Sequence, residues 1–426
     1  MKTSVILLLF FTLQVNFCVS QNTWTQKTDF GGHEREAAVG FSIGSKGYAG
    51  LGVYSVSGSS DFYYCKDFWE YDPATDTWTK KADFPGTERD FAVGFSIGNK
   101  GYVGLGYSYS NSQHSETYFK DFWEYDPATD TWTQKTDFPG HERRDAVGFS
   151  IGIKGYAGFG YYHIINNYYC KDFWEYDSET DTWTQKADLP GMERCSAIGF
   201  SIGANGYIGT GYTDDSVQFN GLLKDFWEYN PITDIWVQKA DFGGMGRCHA
   251  IGFSIGAKGY IGTGCGENNF KKDLWEYDTL TDTWTQKANL PDTERVDAIG
   301  FSIGAKGYMG TGCFSEMDSL GYYFKEYHFK DFFEYSPLLK VNETGLNEDG
   351  IKVYSGIAGM LTIISPVSLI EVNIYNVLGK NLILYRPDVL QNSVEINVSD
   401  IGTGIYFAKI QTANGETISK KLIITN

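Results

Sequence analysis

Basic residues are in short supply in this chain. Thirty-five Lys and Arg face 53 Asp and Glu, which leaves a net charge of −18 over 426 residues. A nucleic acid would meet repulsion unless a local basic patch overcame that field, so no nucleic acid partner is expected. Long apolar runs are also missing. The one apolar stretch, Val5 to Phe11, falls well short of the ~20 residues of a helical membrane span. The 50 Gly follow no three-residue period, which excludes a collagen-like rod. No His, Cys, Asp or Glu spacing matches a metal-ligand motif, and no cofactor or metal is expected. Aromatic residues, by contrast, are abundant. Eleven Trp, 30 Tyr and 29 Phe make up 16% of the chain, a composition that excludes disorder. Glycine and aromatics together favour turns and strands over helices.

The chain length suggests two or three domains. Met1-Lys2, the apolar run and the small-residue site Cys18-Val19-Ser20 read as a secretory signal peptide over residues 1–20. Phe17 is too bulky for the usual lipoprotein site, which argues against a lipid on Cys18.

Internal repetition dominates the chain from there to about residue 336. The string GFSIG begins at Gly40, Gly94, Gly148, Gly199, Gly252 and Gly300, with spacings of 54, 54, 51, 53 and 48. Its companion KDFWEYD begins at Lys66, Lys120, Lys171 and, with Asn in place of the last Asp, Lys224, then varies as KDLWEYD at Lys272 and KDFFEYS at Lys330. Each of these six units reads as four short strands: Ala38 to Ile43, Gly47 to Gly52, Asp67 to Tyr71 and Thr77 to Lys81 in the first. Four strands in about 50 residues are the proportions of a propeller blade. The units resemble the kelch family through Tyr71-Asp72 with Trp78, Tyr125-Asp126 with Trp132, and an opening Arg at 35, 89, 143, 194, 247 and 295. The glycine pair departs from that family, being Gly-x-Gly as at Gly50 and Gly52. The resemblance implies an all-β fold: a six-bladed kelch-like β-propeller over residues 21–339. Thr23-Trp24-Thr25 has no blade before it, and the sixth unit lacks a Thr-Trp strand. The N-terminal strand is therefore expected to complete the sixth blade and close the ring.

Length varies in one place only. The segments between Gly-x-Gly and the Lys of KDF or KDL hold 13, 13, 10, 12, 7 and 17 residues. Subtracting the first five of these from the repeat spacings leaves 41 each time. All variation thus lies in one loop per blade, on one face, where recognition is usually placed. These loops carry 21 Tyr and Phe. Tyr suits a glycan or protein ligand, offering a flat ring and a hydroxyl at low entropic cost; the plainer reading is that the rings pack on their neighbours. Tyr54, Tyr64, Tyr107, Tyr109, Tyr161, Tyr162, Tyr212 and Phe314 are the ring candidates, with Tyr63, Tyr322 and Tyr323 beside them. The residues after each repeat Arg differ from blade to blade and supply the polar candidates Arg144 and His249. In kelch proteins these positions ring the mouth of the central channel. Glu34-Arg35 and its copies read as a structural ion pair or backbone anchor.

Cysteines in an exported chain can form disulfides. Cys195 and Cys248 match across adjacent blades, as do Cys265 and Cys313, while Cys248 and Cys265 share a hairpin. These four are the candidates for disulfides, with at most two bridges expected. Kelch-like enzymes set the alternatives. A galactose-oxidase-like copper site finds no matching ligand set here. A sialic-acid-mutarotase-like epimerase would need a base such as Glu36, Asp90, His249 or Asp297.

The repeat stops after Pro337, and residues 340–426 contain no Trp. Alternating segments (Leu361–Ile364, Glu371–Tyr375, Val394–Val398, Ile405–Ile410, Ile418–Ile424) and an Asn414-Gly415 turn predict a small immunoglobulin-like β-sandwich. Val372 to Lys380, Gly404 to Phe407 and Lys420 to Ile424 resemble the C-terminal sorting domain of the Bacteroidota type IX secretion system. A departure stands at Val353-Tyr354-Ser355-Gly356, where that family has Tyr-Pro-Asn-Pro. The resemblance implies the type IX machinery as a partner, export to the cell surface or medium, and removal of the tail. The sequence as a whole points to an exported module binding a glycan or protein on one propeller face. A carbohydrate-active enzyme on that face and a structural adhesin are the alternatives.

Overall fold

The computed structural model describes residues 22–424 apart from 57–60, 215–220, 268, 318–322, 338–350, 356–359, 378, 388 and 403. The signal-peptide reading, Cys18, Tyr322 and the boundary between 339 and 340 lie outside the described residues, as does the side chain of Tyr323. In chain order the first elements are β1 (Thr23–Lys27), β2 (Val39–Ile43), β3 (Lys46–Gly50), β4 (Val53–Ser55), β5 (Phe62–Tyr64), β6 (Phe68–Asp72) and β7 (Thr77–Lys81). The first blade is the antiparallel sheet β2-β3-β6-β7, and six such four-stranded sheets recur. Strand β1 pairs with Phe332–Ser336 of the sixth sheet, Trp24 lying opposite Tyr335.

Each blade is glued to the next by two repeat features. The Phe of GFSIG packs flat over two glycines of the following blade. Phe301 stands where a Cβ on Gly47 would come within 2.6 Å of it, and Phe41 lies 2.7 Å from the equivalent point on Gly101. Any side chain at those glycines would push the blades apart, which explains their recurrence. The fourth-strand Trp donates its indole N–H to a carbonyl of the preceding blade: Trp132 to Ala82 at 3.0 Å and Trp236 to Ala187 at 2.8 Å. At the seam, Trp24 makes the same bond to Ala288 at 2.9 Å. Asn22 there takes the part of the repeat's turn Asp. It accepts from the Tyr335 hydroxyl at 2.6 Å and the Ala288 amide at 3.1 Å, as Asp76 accepts from Tyr71 and Thr28.

Inside each blade the repeat Arg is fully buried. Its partner is the Asp of K-D-F, not the neighbouring Glu, and this is what the expectation of an anchor around Glu34-Arg35 lacked. Arg194 grips Asp225 through two bonds of 2.7 Å and donates further to the Thr210 and Met192 carbonyls at 3.1 Å. The third-strand Trp completes the carboxylate's shell, as Trp227 does for Asp225 at 2.6 Å. These bonds hold the Asp225 carboxyl below the usual range despite its burial. In the sixth blade Phe333 replaces that Trp, and burial, with Asp292 alongside, pushes Asp331 up instead.

Two expectations change. The variable loops carry structure of their own. Tyr107–Ser110 with Ser115–Tyr118, Tyr161–His163 with Asn167–Tyr169, Cys313–Met317 with Tyr323–His328, and β4 with β5 form outer hairpins above the blades. In the tail, the segments expected as separate strands over 361–364 and 371–375 are one strand, Met360–Asn376. Its first part pairs with Gln391–Asn397, its second with Gly404–Thr412, and the register shifts between Ile364 and Leu369. Leu361, Ile363, Val372, Ile374, Val394 and Ile410 form the buried core of this domain.

Removing one partner of a buried, hydrogen-bonded ion pair leaves an uncompensated charge, at about 3–5 kcal/mol. Arg194→Ala is therefore expected to lower the urea midpoint steeply. Asp225→Ala should cost a similar amount and the double variant clearly less than the sum. Additive losses would mean the pair does not act as a unit.

Candidate functional site

The channel mouth is built by the two residues after each repeat Arg. The first of them forms an isolated antiparallel bridge with the start of the variable loop: Glu36 with Val53, Asp90 with Tyr107, Arg144 with Tyr161, Cys195 with Tyr212, Cys248 with Cys265 and Val296 with Cys313. The second, at Ala37, Phe91, Asp145, Ser196, His249 and Asp297, adopts a left-handed backbone with φ between 47° and 56°. That conformation is unfavourable for a non-glycine residue, so six copies signal a constraint from outside the residue. Five backbone bonds between neighbouring blades supply it, leaving the Phe91–Asp145 step open. Ala37 donates to Asp297 at 2.9 Å, Phe91 to Ala37 at 3.1 Å, Ser196 to Asp145 at 3.0 Å, His249 to Ser196 at 3.1 Å and Asp297 to His249 at 3.3 Å. Below this ring the alanines 38, 92, 146, 197, 250 and 298 line a narrower space of about 170 Å³ around the axis.

A larger cavity of about 340 Å³ opens to one side of the mouth. Arg144, Tyr161, Asn167, Tyr169, Tyr212 and His249 line it together with Phe91, Asp145, Cys195, Ser196 and Cys248. The Arg144 guanidinium is caged by rings, 4.7 Å from the centre of Tyr107, 5.4 Å from Tyr161 and 5.5 Å from Phe91. Its buried Nε lies 3.4 Å from an Asp145 carboxylate oxygen, an ion pair without hydrogen-bond geometry. His249 Nδ1 lies 2.6 Å from Asp297 and 3.9 Å from Asp145. Asp90 is almost fully buried, and one of its carboxylate oxygens is unpartnered. Burial, reinforced by the nearby Asp145, holds its carboxyl well above the ordinary value.

The sequence candidates divide by strand parity. Tyr107, Arg144, Tyr161, Tyr212 and His249 converge on the mouth, and Tyr64 meets Tyr107 edge-on at 6.4 Å. Tyr54 and Tyr162 point the other way, stacked on His33 at 5.0 Å and His141 at 4.7 Å. Tyr109 sits toward a hairpin tip, bonded to His114 at 3.1 Å. Phe314 packs on Phe270 at 5.6 Å. Asn167 and Tyr169 belong to the site but were absent from the ring and polar candidates, while Asp90, named among the candidate bases, is buried and bridged to Tyr107. The inward face shared by Tyr161 and Tyr169 across one hairpin is the signal that would have found Tyr169.

The six described cysteines carry free thiols in this structure. Cys195 and Cys248 lie on the cavity wall. Cys248 and Cys265 face each other across their bridge. The facing Cys248 thiol draws the Cys265 thiol below its ordinary value in spite of burial, with help from His249. Cys313 packs with Phe270 and Val296 in a cluster that Cys265 joins.

The propeller architecture is shared by known structures. A solved structure titled "Structure of YjhT" aligns with a TM-score of 0.56 over 71% of this chain and 95% of its own, at 17% identity. That likeness speaks to the fold. Residues 357–425 match the family model described as "Secretion system C-terminal sorting domain". No curated protein matches the sequence. The chain is thus an all-β protein, a β-propeller followed by a strand-rich type IX sorting domain. That domain directs export to the cell surface or out of the cell and implies engagement of the secretion machinery. Among the described residues no helix is long and apolar enough to cross a membrane.

Burial opposes a charge on His249, but the Asp297 carboxylate outweighs it and raises the imidazole from 6.5 to about 9. A folded-state value above the unfolded one contributes stability that is complete below 6.5 and lost as pH climbs through about 9. The stability gap between wild type and His249→Asn should therefore shrink on going from about pH 6 to about pH 9.5. Chemical denaturation at the two pH values reads this out, and an unchanged gap would contradict it.

Proposed function

We propose that this protein is an exported kelch-like binding module that takes a glycan into the lateral cavity at its channel mouth. The observation that carries the reading is Arg144. Its guanidinium is held by three rings at the cavity wall, with Nε ion-paired to Asp145 at 3.4 Å. A cation framed by aromatic faces can offer its terminal N–H donors to a ligand oxygen. Tyr161, Tyr169 and Tyr212 supply flat apolar faces alongside, and Asn167, Asp145 and His249 supply polar groups. Apolar walls with a few convergent polar groups, in a space of this size, suit one or two sugar rings. The outer face of the hairpins, where Tyr54 and Tyr162 stack on histidines, serves as scaffold.

A second reading, a carbohydrate-active enzyme, draws on Asp90 and the His249–Asp297 pair. Asp90 retains its proton above the ordinary carboxylate range, and His249 is a cation near neutrality. Such groups can act as general acids if a substrate reaches them.

A glycan array probed with the mature propeller tests the first reading. Tyr161→Ala and Arg144→Ala should each weaken a binding glycan by about tenfold to a hundredfold, or about 1.4–2.7 kcal/mol. Tyr54→Ala and Tyr162→Ala should leave it unchanged. Equal losses in both pairs, or binding only to proteins, would overturn it. Isomerisation or oxidation of the bound sugar, followed by NMR, would move the assignment to the second reading.

A further inference from the structure

The opposite side of the mouth, where the first and last blades meet, holds a different cluster. Glu36 comes from the first blade. Cys313, Glu326 and His328 come from the outer hairpin of the sixth. One donor atom each of Glu36, Cys313 and Glu326 lies within 4.8 Å of the others. His328 Nε2 stands 3.7 Å from a Glu36 oxygen and 3.9 Å from a Glu326 oxygen. Those separations are beyond hydrogen-bonding range, and Nε2 is buried without a hydrogen-bond partner. The His328 side chain is only 3% exposed, Cys313 is buried to the same degree, and the Glu36 side chain is 13% exposed. A buried imidazole nitrogen standing between two carboxylates, too far from either to bond it, has the geometry of a ligand.

We propose that Glu36, Cys313, Glu326 and His328 form a binding site for a zinc-class divalent cation that staples the sixth blade to the first. The donor chemistry selects the ion. Calcium and magnesium take oxygen ligands, and copper(I) selects soft sulfur ligands, whereas one nitrogen, one thiolate and two carboxylates suit Zn²⁺. Bonds of ~2.1 Å in a tetrahedron place donors about 3.4 Å apart. The 3.7 and 3.9 Å from His328 to the two carboxylates need only a small contraction, while His328, outside the 4.8 Å triad of Glu36, Cys313 and Glu326, must move further to share an ion with all three. The acids crowded around the cysteine carry a mutual repulsion. A bound dication removes it, displacing the thiol proton to solvent as the thiolate bonds the metal.

Four protein ligands make a closed, structural site. Its position explains its use. The ring is closed here by the pairing of β1 with Phe332–Ser336, and Glu36 of the first blade lies beside Cys313 and His328 of the sixth. No sequence motif announces the site, because the ligands on either side of the seam are nearly the whole propeller apart in the chain.

The test uses the chelator-treated propeller and Zn²⁺ alone, followed by calorimetry and thermal unfolding. One equivalent should bind and raise Tm. His328→Ala should weaken that binding by at least ~100-fold, the upper end of what loss of a supporting residue costs a metal site. Should that variant fold poorly, Glu326→Gln, at a partly exposed position, should weaken it in the same direction. Co²⁺ should give thiolate-to-metal absorption that Cys313→Ser removes, while the exposed His163→Ala leaves both readouts unchanged. Absence of a one-equivalent site, or a site indifferent to both His328→Ala and Glu326→Gln, would overturn the proposal.

Discussion

The buried Arg–Asp clamp is the interaction on which the rest of the molecule depends. Within a blade it ties the start of the first strand to the start of the third, and the same Arg carries the bond to the neighbour. The Arg89 carbonyl accepts from Gly52 of the first blade at 2.8 Å, and the Arg35 carbonyl accepts from Gly312 at 2.8 Å across the seam. Guanidinium and backbone of one residue thus secure both the blade and the ring. A buried ion pair is poor evidence of net stabilisation by itself, since desolvation offsets most of its attraction. Its worth here is geometric. Two parallel bonds, two carbonyl contacts and a Phe beneath leave the Arg one position, and six copies leave the mouth one shape.

That fixed shape explains the left-handed residues at the mouth. Phe91 and His249 hold φ of 47° and 55°, a conformation costing roughly 1–2 kcal/mol per non-glycine residue. The inter-blade amide bonds offset it and turn each side chain toward the axis. Glycine would relieve the strain but present nothing to a ligand. The sequence retains side chains there and varies them from blade to blade, which is the opposite of its practice at Gly47 and Gly101, where a neighbouring Phe forbids any.

Much of this architecture was legible because repetition multiplies weak signals. One GFSIG is uninformative; six at a constant offset from six Trp locate strands, blades and the variable face. The Trp residues read as scaffold, and their indole bonds to Asp225 and Ala187 give the reason. Relations outside the period were harder to see. Arg35 lies 32 positions from Asp67, and nothing local distinguishes that Asp from the adjacent Glu34. Tyr161 and Tyr162 look alike as neighbours until strand parity sends one inward and one outward. The tail strand Met360–Asn376 hid behind Pro366, which reads as a break but sits where the register shifts.

The mouth therefore separates what is held from what is free to change. The bridges that join each blade's first mouth residue to its hairpin are made by backbone amides, as between Cys195 and Tyr212 at 2.9 Å in both directions. Glu36 with Val53, Asp90 with Tyr107 and Cys248 with Cys265 occupy the same bridge with unrelated chemistry. Because side chains contribute little to that join, substitution there alters charge and shape at small cost in folding. Near-identical blades consequently carry a mouth without symmetry: a caged cation and tyrosines on one side, carboxylates, a thiol and an imidazole on the other. An asymmetric site needs groups that differ at positions that do not move, and this propeller meets both conditions by placing the difference one residue beyond its most rigid side chain.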